Sequence, residues 1–139
     1  AWRSAEILAE GRPWAPVVTV RGLRERGAGD WTGLTRDEIE RRWPGALRAQ
    51  FATIPGGEDV GSVTARGVAS LHRVAERFNG MTVLVVSHGA LIRLITHHLG
   101  ATPEHVPNLG GLWIEVTGAQ LRAGDPVGPL GAEAIQRAG

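Results

Sequence analysis

Two short segments hold residue types suited to acid–base chemistry, each placed just after an apolar run. Ser87-His88-Gly89 directly follows the apolar stretch Met81–Val86, which only Thr82 interrupts. Leu23-Arg24-Glu25 comes soon after Val17-Val18-Thr19-Val20. Open α/β sheets bind ligands beyond the C-terminal ends of their strands. A carboxyl and an imidazole at neighbouring strand ends can therefore converge on one substrate. A glutamic acid protonates a leaving oxygen when burial or a nearby anion raises its pKa. A histidine can donate to a phosphoryl oxygen and offset the charge that develops in transfer. Plainer readings stand beside these. A lone strand-end histidine is often structural, and most loop glutamates are solvated. Gly27–Gly33 could be a turn anchored by Trp31, and Ser87 and Gly89 could serve only a tight strand-to-helix turn. The joint order and spacing carry more weight than any one residue.

The remaining histidines offer less. His72 lies beside Leu71 on a long helix and is expected to face solvent. His97 and His98 lie near a helix C-terminus, which favours a cation. As neighbours they project ~100° apart and cannot chelate one ion. His105 falls in a loop. No metal site and no cofactor are expected.

The elements that must position Glu25 and His88 can be read from periodicity and punctuation. Residues 2–10 read as a helix with Ala5, Leu8 and Ala9 on its apolar face, stopped by Gly11-Arg12-Pro13. Residues 17–20 are β-branched and predict a buried strand. Thr35 and Glu38 have capping-box spacing for a helix running to about Trp43. Val60, Val63, Gly67, Leu71, Val74 and Phe78 form one stripe, ended by Asn79-Gly80. Residues 82–86 predict a strand covered on both faces. Residues 90–99 form a second apolar helix, closed by Gly100. Two last strands, 112–116 and 120–122, flank Thr117-Gly118-Ala119. This alternation of helices and strands predicts an α/β fold with a mainly parallel sheet. Residues 1–123 form one domain, and 124–139 are expected to be a loose tail.

Composition narrows the class. The 139 residues suit a single domain, and the apolar fraction is ordinary. The 15 basic residues are all Arg and the net charge is only +1. The high isoelectric point therefore reflects the lack of groups titrating between His and Arg, not a nucleic-acid footprint. No apolar run approaches the ~20 residues of a membrane span. The absence of Cys excludes a thiolate nucleophile and a Cys-based metal site. It fits a reducing, cytoplasmic compartment. Ala1–Leu8 reads like the middle of a helix and has no initiator Met, so an upstream segment is expected.

Several of these segments together resemble the histidine phosphatase, or phosphoglycerate-mutase-like, superfamily. Leu23-Arg24-Glu25-Arg26 with Gly29-Asp30-Trp31-Thr32-Gly33-Leu34-Thr35 resembles its "LxE…G.WEG.T" signature. Pro55-Gly56-Gly57-Glu58 resembles its "P.GES" loop, with Asp59 where Ser is usual. Val83-Leu84-Val85-Val86-Ser87-His88-Gly89 resembles its strand bearing the second catalytic histidine. Pro107-Asn108 resembles its late Asn-containing loop, although Gly110-Gly111 replaces the usual small-polar pair. The segment from Ala1 to Ile7 resembles its "(R)AxQTAeii" helix. The resemblance covers residues 1–116.

It implies a three-layer α/β/α sandwich with a mainly parallel sheet. It implies Glu25 as proton donor to the leaving group and then as base for water. His88 would be the second pocket histidine, donating to the transferred phosphoryl group. Ser87 and Gly89 would shape the pocket floor, and Asn108 would line it. The family's nucleophile is a histidine in an Arg-His-Gly motif, and no such tripeptide occurs in these residues. The expectation is a metal-independent phosphomonoester phosphatase, inactive as this chain alone. Its partner would be a small phosphorylated substrate, and a homodimer is one option for its assembly. The short stretch between Glu25 and His88 favours phosphatase over mutase. The rival reading is a degenerate member that binds a phospho-ligand or protein. A generic nucleotide-binding domain is disfavoured, because no P-loop or G-x-G-x-x-G follows a strand.

Overall fold

The computed structural model describes residues 1–12, 16–49, 51–101 and 107–128. In chain order the regular elements are α1 (Trp2–Ala9), α2 (Arg36–Arg42), α3 (Val60–Arg77), α4 (Gly89–His98), β1 (Gly111–Thr117) and β2 (Gln120–Val127). Short 3₁₀ turns at Arg21–Leu23, Gly29–Trp31 and Ala46–Arg48 link them.

Local chemistry sets the helix starts. Thr35 and Glu38 form the predicted capping box: Glu38 N–H donates to Thr35 Oγ1 at 3.3 Å, and Thr35 N–H donates to Glu38 Oε2 at 2.7 Å. The α3 helix is capped by Asp59, whose Oδ1 accepts from Gly61 and Ser62 N–H at 2.8 and 3.1 Å. Such a cap contributes about 1 kcal/mol. In α3 the apolar stripe turns inward, burying Val63, Gly67, Ser70 and Leu71. It meets Leu91, Leu94 and Ile95 of α4, and Leu23 closes the same cluster. Gly67 sets the helix–helix approach, because a Cβ there would lie 2.9 Å from Ile95 Cδ1 and 3.0 Å from Leu91 Cδ1.

The sheet differs from expectation. Residues 16–20 and 82–88 form neither helix nor turn, and neither carries a strand ladder. Among the described residues the sheet is the antiparallel pair β1–β2. The mainly parallel sheet is therefore not formed among these residues. Nor is the 82–86 run covered on both faces, since Leu84 is 59% exposed, as is Val18. The reason is that an apolar run reports a need for burial, whereas a strand needs a neighbour for its N–H and C=O groups.

The hairpin follows the sequence more closely. Gly118 takes a positive φ of 58° in the two-residue turn, and the register is irregular between Leu112 and Ile114. β2 continues to Val127, which pairs with Gly111. Residues 124–127, expected in a loose tail, are thus laddered; residues 129–139 lie outside the described residues. No helix among the described residues is long and apolar enough to cross a membrane.

Candidate active site

The turn at Arg21–Leu23 delivers Glu25. Leu23 is buried in the core and anchors it. Gly22 lies so close to α3 that a Cβ would collide with Ser70 Oγ. The end of the 82–88 segment delivers His88. Ser87 ties the two together, its Oγ donating to the Leu23 carbonyl at 2.8 Å. The result is that Glu25 Oε2 lies 4.0 Å from His88 Nδ1. That separation is too long for a direct hydrogen bond. Both side chains are part-exposed, at 44% for Glu25 and 37% for His88, and so are open to a ligand. The other Glu25 oxygen accepts from Arg26 N–H at 2.9 Å.

His88 is also the N-cap residue of α4, and no side chain caps this helix. The first turn of α4 holds no acidic residue either. Its leading N–H groups and positive dipole end therefore lie beside His88, in contrast to the capped α2 and α3. Gly89 is the first residue of this helix.

The loops behind Glu25 are fastened backbone to backbone. Asp30 N–H donates to Pro55 O at 2.9 Å and Glu58 N–H to Gly27 O at 3.0 Å. Gly29, with φ +45°, sits against the backbone of Pro55–Gly57, where a Cβ would collide. Glu58 then pairs with Arg66 through both oxygens, at 2.7 and 2.8 Å. Hydrogen bonds from Arg66 hold the Glu58 carboxyl below its ordinary pKa, helped by the Gly27 N–H and opposed by desolvation. Beside Glu25 opens a cleft of ≈ 300 Å³, lined among others by Arg26, Trp31, Ile54, Ala90 and Arg93.

The structure thus brings Glu25, Ser87, His88 and Gly89 together. Ser87, His88, Gly89 and Asn108 are not among the residues lining the cleft; Asn108 is exposed in a turn closed by Gly110 N–H to Pro107 O at 2.9 Å. His97 packs edge-on against Phe51 with ring centres 4.9 Å apart. No cluster of metal-ligating side chains occurs among the described residues. His105 lies outside them. Sequence reasoning missed Arg66 and the part played by Glu58. A signal was present: Arg66 lies three residues after Val63 and four before Ser70, on the buried side of α3, where a cation needs a partner.

The chain as a whole is similar to known proteins. The description of the histidine phosphatase superfamily (branch 1) matches residues 1–126. The chain is 32% identical over 126 residues to a 2,3-bisphosphoglycerate-dependent phosphoglycerate mutase of Methylobacterium sp. (strain 4-46), covering 84% of this chain and 60% of that protein. Among solved structures it is similar to Bacillus stearothermophilus YhfR, with a TM-score of 0.72 and 30% identity, over 88% of this chain and 66% of that one. It is also similar to a mycobacterial glucosyl-3-phosphoglycerate phosphatase in complex with VO3, with a TM-score of 0.65 and 30% identity, over 93% and 70% of the two chains. The chain spans between 43% and 60% of the first curated relatives it matches. The chain belongs to branch 1 of the histidine phosphatase superfamily.

Proposed function

We propose that this chain is the acid–base part of a phosphomonoester phosphatase that works through a phosphohistidine intermediate. The observation that carries the reading is the convergence of Glu25 and His88, 4.0 Å apart, at the uncapped start of α4. A phosphoryl group beside His88 would accept from the free N–H groups of α4, where the helix dipole favours an anion. Protonated His88 would donate to a phosphoryl oxygen. Glu25, as the acid, would protonate the departing alcohol oxygen and then, as carboxylate, take a proton from the attacking water. Ser87 and Gly89 shape the floor, Ser87 by its bond to Leu23 and Gly89 by letting the backbone approach. Asn108 would line the pocket, as the resemblance of Pro107-Asn108 to the family's late loop implies.

The nucleophilic histidine belongs, in this proposal, to residues of the whole protein outside these 139. Two points support it: no Arg-His-Gly occurs here, and the relatives are longer. The three-layer sandwich with a parallel sheet belongs to the same proposal, the unladdered 16–20 and 82–88 segments being its inner strands. Phosphatase is favoured over mutase because only 62 residues separate Glu25 from His88. A similar protein solved with VO3 is a phosphatase, which supports the same reaction class.

The test is steady-state hydrolysis of phosphomonoesters by the whole natural protein. Glu25→Gln and His88→Ala should each lower kcat/KM by about 10²-fold or more. The 139-residue chain alone should show no turnover. Wild-type rates in either variant would remove the roles given to these residues. Tight binding of phospho-ligands without turnover by the whole protein would favour the binding-module reading instead.

A further inference from the structure

We infer that Arg66, locked to Glu58, is a positioning residue that fixes where the Glu25 carboxyl stands; this rests on the acid role given to Glu25 above. A part-exposed glutamate on a loop has free rotamers and a mobile backbone, so something must hold it near His88 if it is to act. Its own side chain has one short-range bond, to the next residue's N–H. The restraint must therefore come through the backbone.

Arg66 supplies it. Nη1 donates to the carbonyls of Gly22 at 2.6 Å and Arg24 at 2.9 Å, and Nη2 donates to the carbonyl of Glu25 itself at 3.1 Å. One guanidinium thus grips three carbonyls within four residues. Its remaining edge faces Glu58, which takes Nε and Nη2 in a two-pronged pair. Both side chains of that pair are largely buried, at 15% and 19% exposure.

Glu58 in turn reaches round to the other side of Glu25. Its carboxylate accepts from Gly27 N–H at 3.3 Å and from Arg24 Nη2 at 3.0 Å. Its carbonyl accepts from Arg26 Nε at 2.9 Å, while Arg26 Nη2 is held by Ala52 O at 2.9 Å. Residues 22–27 are clamped on both flanks of Glu25, from a rigid helix that also forms the core. A planar fork with five donors can do this, whereas an ammonium cannot reach three carbonyls and two carboxylate oxygens together. Placement of the acid within hydrogen-bond reach of the leaving oxygen is what makes it effective.

The experiment compares two esters in the whole protein. Ethyl phosphate has a poor leaving group that needs protonation, whereas 4-nitrophenyl phosphate has a leaving group that departs without it. Glu25→Gln sets the reference: a large loss on ethyl phosphate and a small one on 4-nitrophenyl phosphate. Arg66→Lys, confirmed folded by its thermal transition, should show the same pattern. The expected loss in kcat/KM, which reports transfer to the enzyme and not the later attack of water, is about 10-fold or more for the ethyl ester and within about threefold for the aryl ester. An equal loss on both esters in Arg66→Lys, while Glu25→Gln separates them, would overturn the positioning role and leave the function standing. If Glu25→Gln itself fails to separate the esters, the acid role of Glu25 falls, and the positioning role falls with it.

Discussion

At the scale of single residues the chemistry rests on charges placed by other charges. Glu58 is held ionised first by Arg66, so its carboxyl in the folded protein titrates below the ordinary carboxylate range. A carboxyl with a lowered folded-state pKa contributes stability that is complete above its unfolded pKa. That contribution is lost as the pH falls through the folded value. Glu58→Gln should therefore be less stable than the wild type at pH 7, by about 1–3 kcal/mol. The gap should close as the pH drops below the usual carboxylate range. Denaturant unfolding at a series of acid pH values checks this, and a gap that persists unchanged would contradict the ion-pair account. Glu25 and His88 were legible because each is a reactive type just after an apolar run. Arg66 was not, because an Arg on a helix reads as a solvated face unless its position on the buried stripe is given priority. Asn108 was suggested by a loose motif alone, and its neighbour Leu109 takes a positive φ of 63°, a turn geometry that residue type does not announce.

At the scale of elements, the helices were readable, whereas the expected parallel strands are not laddered among the described residues. Capping at Thr35 and Asp59 and the stripe from Val60 to Phe78 are local features, and local features survive into the fold. The approach of α3 to α4 depends on a missing side chain at Gly67, beside two buried leucines and an isoleucine. Gly67→Ala raises helix propensity but would push Leu91 and Ile95 apart. It should destabilise by about 1–3 kcal/mol. Asp59→Ala should cost about 1 kcal/mol by freeing the Gly61 and Ser62 N–H groups. Both are read from chemical unfolding, and a more stable Gly67→Ala protein would show that the helices do not meet there. The segments 16–20 and 82–88 show why strands are harder. Their apolar character states a need for burial, yet Val18 and Leu84 stay exposed, because pairing is a property of two segments.

At the scale of the whole molecule, that unpaired backbone has a consequence. Met81 is 69% exposed and Leu84 is 59% exposed, and the residues 82–88 have no ladder partners among the described residues. Such an edge favours association with another chain. Leu84→Glu should therefore reduce self-association of the 139-residue chain, while changing its stability by no more than about 0.5 kcal/mol. Sedimentation at several concentrations checks this, and unchanged association would place the sticky surface elsewhere.

In the proposed reaction the phosphoryl group passes through a histidine, assisted by Glu25 and His88. The most direct measurement is a rapid acid-free quench of the whole protein mixed with a ³²P-labelled phosphomonoester, followed by tests of the label's stability. The account predicts protein-bound label that survives alkali and is released by acid. Hydrolysis that proceeds with no labelled protein at any time point would contradict it.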